Sequence, residues 1–131
     1  MSEKKALVVD DEQDIRTYIS GVLTDEGWTV VEATNGEEGL ETASVELPDL
    51  IMLDIMMPVM NGFETFKALR QDPNLGEVPI IILSSVNDFE LGVGHTAESM
   101  GEQLGVHPPN AFLEKPIEAR HLRETVQRIT G

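Results

Sequence analysis

Three stretches of the chain are apolar without interruption: Ala6-Leu7-Val8-Val9, Leu50-Ile51-Met52-Leu53 and Ile80-Ile81-Ile82-Leu83. A strand with one face in water alternates apolar and polar residues, so a run with no alternation has to be covered on both faces. Helical patterns lie between the runs. Ile15, Tyr18, Ile19, Val22 and Leu23 recur at i, i+3, i+4, i+7 and i+8, the spacing of one helix face. Asn35-Gly36 reads as a turn into a second helix over 37–46. Phe63, Phe66 and Leu69 share one side of a third over 62–71, and Leu122, Val126 and Ile129 point inward from a last one over 118–129. Residues 28–33 (WTVVEA) and 111–113 (AFL) complete the strand candidates. Strands alternating with helices predict right-handed crossovers and an α/β, doubly wound domain: a five-stranded parallel sheet with helices on both faces.

The stretch 86–110 does not fit this alternation. Asn87 and Glu90 have the spacing of a helix cap, but Gly92, Gly94, Gly101 and Gly105 weaken a helix and Pro108-Pro109 ends one. It reads as a broken helix or a long loop inside one domain spanning 1–131.

The bulk numbers remove several function classes. A formal net charge of −15 argues against binding to nucleic acid or to an anionic membrane surface, both of which attract basic faces. The absence of cysteine excludes disulfides and thiolate zinc sites. The start, MSEKKALVVDD, lacks the apolar run of a signal peptide, and no stretch has the length of a membrane span. A cytoplasmic domain is expected. His95, His107 and His121 have no metal-ligand spacing, and Gly92 and Gly94 are not followed by the lysine of a phosphate loop.

The chemistry sits where the apolar runs stop. In an open α/β sheet, ligands bind beyond the carboxyl ends of the strands. The first run ends in Asp10-Asp11-Glu12, the third strand in Asp54, the fourth in Ser84-Ser85, and the fifth is followed by Glu114-Lys115-Pro116. If the strands are parallel, these ends meet. Asp10, Asp11 and Asp54 would repel one another, and a hard, oxygen-ligated cation such as Mg²⁺ relieves that. Two charges from Mg²⁺ and one from Lys115 balance three carboxylates. Such a site suits a phosphoryl group, with Asp54 as the nucleophile that forms an acyl phosphate.

The ordered pattern VVDDE, LDIMMP-x-MNG, a serine after an apolar strand, and LEKP resembles the receiver domain of two-component response regulators over residues 4–130. The resemblance implies a flavodoxin-like strand order, 2-1-3-4-5. It implies that Asp54 is the phosphoacceptor, that Asp11 and Asp54 hold Mg²⁺ directly, that Asp10 holds it through water, and that the Met56 backbone carbonyl completes the set. It further implies that Ser84 and Lys115 contact the phosphoryl group, that Phe112 takes the place of the aromatic switch, and that the donor is a sensor histidine kinase or a histidine phosphotransfer protein. The output is expected to be a contact with a downstream protein target, since the chain carries no DNA-binding or catalytic domain.

Three departures from the family pattern matter. Phe112 has no phenolic hydroxyl, Ser85 stands where a small alanine is usual, and the stretch from Ser84 to Lys115 is longer than the norm. Met56 and Val86 occupy the two family positions, each two past a site residue, that tune autodephosphorylation; both are apolar and cannot hold an attacking water, so the resemblance implies a long-lived acyl phosphate. Phosphatases that use an aspartyl phosphate commonly carry a second aspartate at the position of Met56, so the sequence argues against a turnover enzyme. The alternative is a degenerate receiver that binds partners without taking phosphate.

Overall fold

Each uninterrupted apolar run is a buried strand in the computed structural model, which describes residues 4–55, 60, 62–84 and 105–131. In chain order the elements are β1 (Lys5–Val9), α1 (Gln13–Asp25), β2 (Thr29–Ala33), α2 (Gly36–Glu46), β3 (Leu50–Asp54), α3 (Gly62–Gln71), β4 (Ile80–Ser84), β5 (Ala111–Glu114) and α4 (Ala119–Thr130). The sheet order is β2-β1-β3-β4-β5 and every pairing is parallel. This is the order that the family resemblance implies. Met56 and Val86 lie outside the described residues, as does the 86–110 stretch up to residue 104.

Residues of opposite parity along the central strands face opposite sides and build two cores. On one side Ala6, Val8, Met52, Ile81 and Leu113 pack with Ile19 and Leu23 of α1 and Leu122 and Val126 of α4. On the other, Leu7, Val9, Ile51, Leu53 and Ile82 pack with Ala43 of α2 and Phe66 and Leu69 of α3. Both sheet faces are thus covered, which is why the central strands contain no polar alternation. Tyr18 departs from the expected inward face of α1: it is 42% exposed, while Ile19 and Leu23 are fully buried. It lies at the edge of the apolar stripe, where a phenol can keep its hydroxyl in water.

Two glycines bring helices close to the strand ends. A Cβ at Gly62 would come within 2.4 Å of the Ile55 Cα and 2.5 Å of the Asp54 carbonyl oxygen. Only glycine lets α3 begin against the end of β3, where the Gly62 amide donates to the Ile55 carbonyl at 2.9 Å. At Gly36 a Cβ would collide with Thr65 Oγ1 and with the Met60 carbonyl, so α2 and α3 meet through that glycine. Asn35 is more than the turn residue expected from the sequence. Its side chain accepts from the Glu38 amide at 2.8 Å and caps α2. No helix among the described residues is long and apolar enough to cross a membrane.

Candidate functional site

The parallel register brings the predicted chemistry to one edge. The Asp10 amide donates to the Ala33 carbonyl at 3.2 Å, one step past the last β1–β2 pair, Val9↔Ala33. Asp54 pairs with Leu83, so Ser84 stands one step beyond it on the neighbouring strand. The Lys115 amide donates to the Ser84 carbonyl at 2.6 Å, which hangs the lysine from the end of β4. The Lys115–Pro116 peptide bond is cis.

The side chains converge as well. Lys115 Nζ lies 3.0 Å from Asp10 Oδ2, 3.4 Å from Asp54 Oδ1 and 4.0 Å from Glu12 Oε1. Asp10, Asp54 and Ser84 are buried, with exposures of 0%, 3% and 3%. These are values that isolated charges do not tolerate. Burial pulls the Lys115 pKa down, but the carboxylates of Asp54, Asp10 and Glu12 outweigh it and raise it above the usual lysine value. The ammonium is therefore firmly charged, and it is the cation that Asp10 and Asp54 share.

One ammonium does not satisfy this edge. Asp10 Oδ1 accepts from the Glu12 amide at 2.9 Å. Asp10 Oδ2 is buried, and among the described residues it meets the Lys115 ammonium at 3.0 Å but no donor at a good hydrogen-bonding angle. Asp10, Asp11 and Glu12 each place a carboxylate oxygen within 4.8 Å of the others. Three acids thus share one lysine, Asp11 stands beside two of them, and an acceptor at their centre is under-used. That donor set, all hard oxygen, fits a divalent cation such as Mg²⁺.

The sequence reading named most of these positions. The structure brings Asp10, Asp54, Ser84 and Lys115 together and places exposed Asp11 beside them. Asp54 reaches the acidic group through Lys115 and is not one of the three mutually close carboxylates. Met56 lies outside the described residues. Phe112 pairs with Ile82 and is half-buried against the α2–α3 core. Two residues were missed. Glu12 was seen only as the end of an acidic run, yet it faces both Asp10 and Lys115. Arg16 carries no signal in the sequence. Its Nη1 donates to the Asp10 backbone carbonyl at 2.6 Å, and no sequence spacing signals such a contact.

Comparison with known proteins places this geometry. The family described as "Response regulator receiver domain" matches residues 6–127. The alkaline phosphatase synthesis transcriptional regulatory protein PhoP of Bacillus subtilis is 37% identical over 126 residues, 96% of this chain and 48% of PhoP. Protein PilH of Pseudomonas aeruginosa is 28% identical over 125 residues, 95% of this chain and 96% of PilH. This chain thus spans about half the length of PhoP and nearly all of PilH. Among solved structures, chemotaxis protein CheY4 of Vibrio cholerae superposes with a TM-score of 0.82 at 34% identity, covering 98% of this chain and 99% of CheY4. With that strand order, that acidic edge and a family match over nearly the whole length, the chain belongs to the response regulator receiver domains.

Proposed function

We propose that the chain is a phosphoacceptor switch in which Asp54 takes a phosphoryl group from a phosphohistidine of a sensor kinase or phosphotransfer protein, in the cytoplasm. The reading rests on one observation: a buried carboxylate at the end of β3 shares a charged lysine with a second buried carboxylate, beside a serine and an exposed acid. An oxygen of Asp54 attacks phosphorus, the bond to the donor imidazole nitrogen breaks, and the leaving imidazole takes up a proton. The products are an acyl phosphate and a neutral histidine. Lys115 moves from pairing with Asp54 to pairing with the phosphoryl oxygens, and the Ser84 hydroxyl donates to another of them. Asp11 and Asp54 would hold Mg²⁺ directly, Asp10 through water, and the Met56 carbonyl would complete the protein ligands. Bound there, Mg²⁺ would offset the charge of the acids and of the incoming phosphoryl group.

Phosphorylation adds charge at the edge that Lys115 and Ser84 line. Phe112 lies three residues before Lys115 on β5 and is half-buried, so a pull on this edge can be passed to its ring. A downstream protein would read that rearrangement. The chain is then a stoichiometric switch and not a turnover enzyme.

Intact mass after incubation with Mg²⁺ and acetyl phosphate tests this. Wild type gains one phosphoryl group and Asp54→Asn gains none. The adduct decays slowly, because neither Met56 nor Val86 can hold an attacking water. A wild type that stays unmodified, even with a phosphorylated kinase domain and Mg²⁺, favours a phosphate-independent binding module instead.

A further inference from the structure

The acidic edge is held from behind by a residue that the phosphoacceptor reading does not use. β1 stops pairing with β2 at Val9↔Ala33, yet Asp10 still donates its amide to the Ala33 carbonyl. Its own carbonyl falls past the end of the ladder, where the next strand residue would have supplied a donor. Arg16, one turn into α1, supplies it through Nη1 at 2.6 Å. The guanidinium is held at a second point. Arg16 Nε donates to Glu32 Oε1 at 3.1 Å, and Ser20 Oγ donates to Glu32 Oε2 at 3.2 Å. The Arg16 side chain is only 12% exposed. A planar fork pinned at two points holds its acceptor's orientation far better than one flexible ammonium would.

We infer that Arg16 is a positioning residue for the cation site: it locks the Asp10–Asp11 peptide and so aims both carboxylates. The inference rests on the phosphoacceptor reading and adds a residue to it. Two effects of Arg16 oppose each other. Its positive charge, close to the acids, disfavours a second cation. Its hydrogen bond fixes the carbonyl between the two aspartates, which favours one. Residues just outside a metal's ligand shell are commonly worth ten- to a hundred-fold in affinity. The geometric effect is therefore the larger.

The test is Mg²⁺ affinity, measured by calorimetric titration at a temperature where Trp28 fluorescence reports a folded core. Arg16→Met is expected to bind Mg²⁺ about ten-fold or more weakly than wild type. Arg16→Lys keeps the charge and one donor and falls between the two. Glu32→Gln leaves Arg16 in place but removes its charged tether, and shows a smaller loss in the same direction. A role limited to charge moves affinity the other way, so an Arg16→Met that binds Mg²⁺ as tightly as wild type, or more tightly, overturns the inference. Should Arg16→Met fail to fold, wild-type affinity in Arg16→Lys does the same. A wild type that binds no Mg²⁺ sinks the phosphoacceptor reading and this inference together. A wild type that binds, beside variants that bind equally, sinks this one alone.

Discussion

The two edges of the sheet each carry a half-buried cation, and they use it in opposite ways. At the carboxyl edge Lys115 serves three carboxylates, and among the described residues Asp10 Oδ2 has that ion pair but no well-angled hydrogen bond. At the amino edge the hydrogen-bond acceptors of Arg70, near the end of α3, are neutral oxygens among the described residues. Its Nε donates to the His107 carbonyl, its Nη1 to those of Gly76 and Val78, and its Nη2 to the Pro108 carbonyl and Asn110 Oδ1. All five N–H donors of the guanidinium are thereby used. The plane also stacks on Phe66, with Cζ 5.2 Å from the ring centroid. Burial lowers the Arg70 pKa and Glu77 opposes the shift, from so high a starting value that the group stays charged. One edge is complete as it stands. Around Lys115 the other has more negative charge than that ammonium can balance, as the proposed Mg²⁺ site requires.

Removing each cation should have a different signature. Lys115→Met leaves the buried Asp10 and Asp54 without their shared ammonium. Breaking a buried pair in this way costs about 3–5 kcal/mol. For a domain of this size each kcal/mol lowers Tm by roughly 4 °C. The loss should be read by thermal unfolding in a chelating buffer. Mg²⁺ should restore a good part of it, because a divalent ion takes over the role of the ammonium. A defect that Mg²⁺ leaves untouched would mean that Lys115 does not stand in for an absent cation.

Arg70→Met should cost somewhat less, about 3 kcal/mol. Hydrogen bonds from a charged donor are worth about 1.5–3 kcal/mol each, but the acceptors at His107, Pro108 and Asn110 are exposed enough to turn to water. No Mg²⁺ concentration should recover it. The folded fraction should still take a phosphoryl group on Asp54, since Arg70 serves the far ends of β4 and β5. A variant that melts normally but fails to phosphorylate would show that the edges are coupled through β5.

The contrast also explains what was legible in the amino-acid order alone. The carboxyl edge was legible because its chemistry lies in side chains placed directly after apolar runs. Asp10, Asp54, Ser84 and Lys115 needed only parallel strands to meet, and buried runs predict those. The order of the strands came from the family resemblance, since apolar runs do not state which neighbours they choose. The amino edge was illegible. Arg70 bonds backbone carbonyls six to eight residues ahead and 37–38 residues ahead, and a carbonyl has no signature in sequence. The same holds for Arg16 on Asp10. Gly36 was visible as a turn residue and Gly62 as the start of a helix, but their need for glycine comes from Thr65, Met60, Asp54 and Ile55 in space. Tyr18 kept the helix spacing and still faced water, because periodicity fixes an angle around α1 and not the width of the core it meets.

The smallest expected effect is the sharpest probe of the carboxyl edge. Asp10→Asn removes one buried negative charge and supplies an amide that can donate. It gives up the 3.0 Å ion pair with Lys115, but Lys115 keeps Asp54 and Glu12. It also relieves repulsion with Asp11 and Glu12, whose oxygens lie within 4.8 Å. Where a buried charge is crowded by like charges, neutralising it without changing its shape stabilises the fold, here by about 1 kcal/mol in the absence of Mg²⁺. The gain should vanish in saturating Mg²⁺, because wild type then draws binding energy that the variant has forfeited. Two melting curves per protein, with chelator and with Mg²⁺, read both halves. A rise in Tm with chelator that is lost with Mg²⁺ identifies Asp10 as a charge kept at a cost to folding for the sake of the cation. A variant less stable than wild type in chelator would place the Lys115–Asp10 pair alongside the Arg70 clamp, as structure already complete, and the two edges would no longer differ in kind.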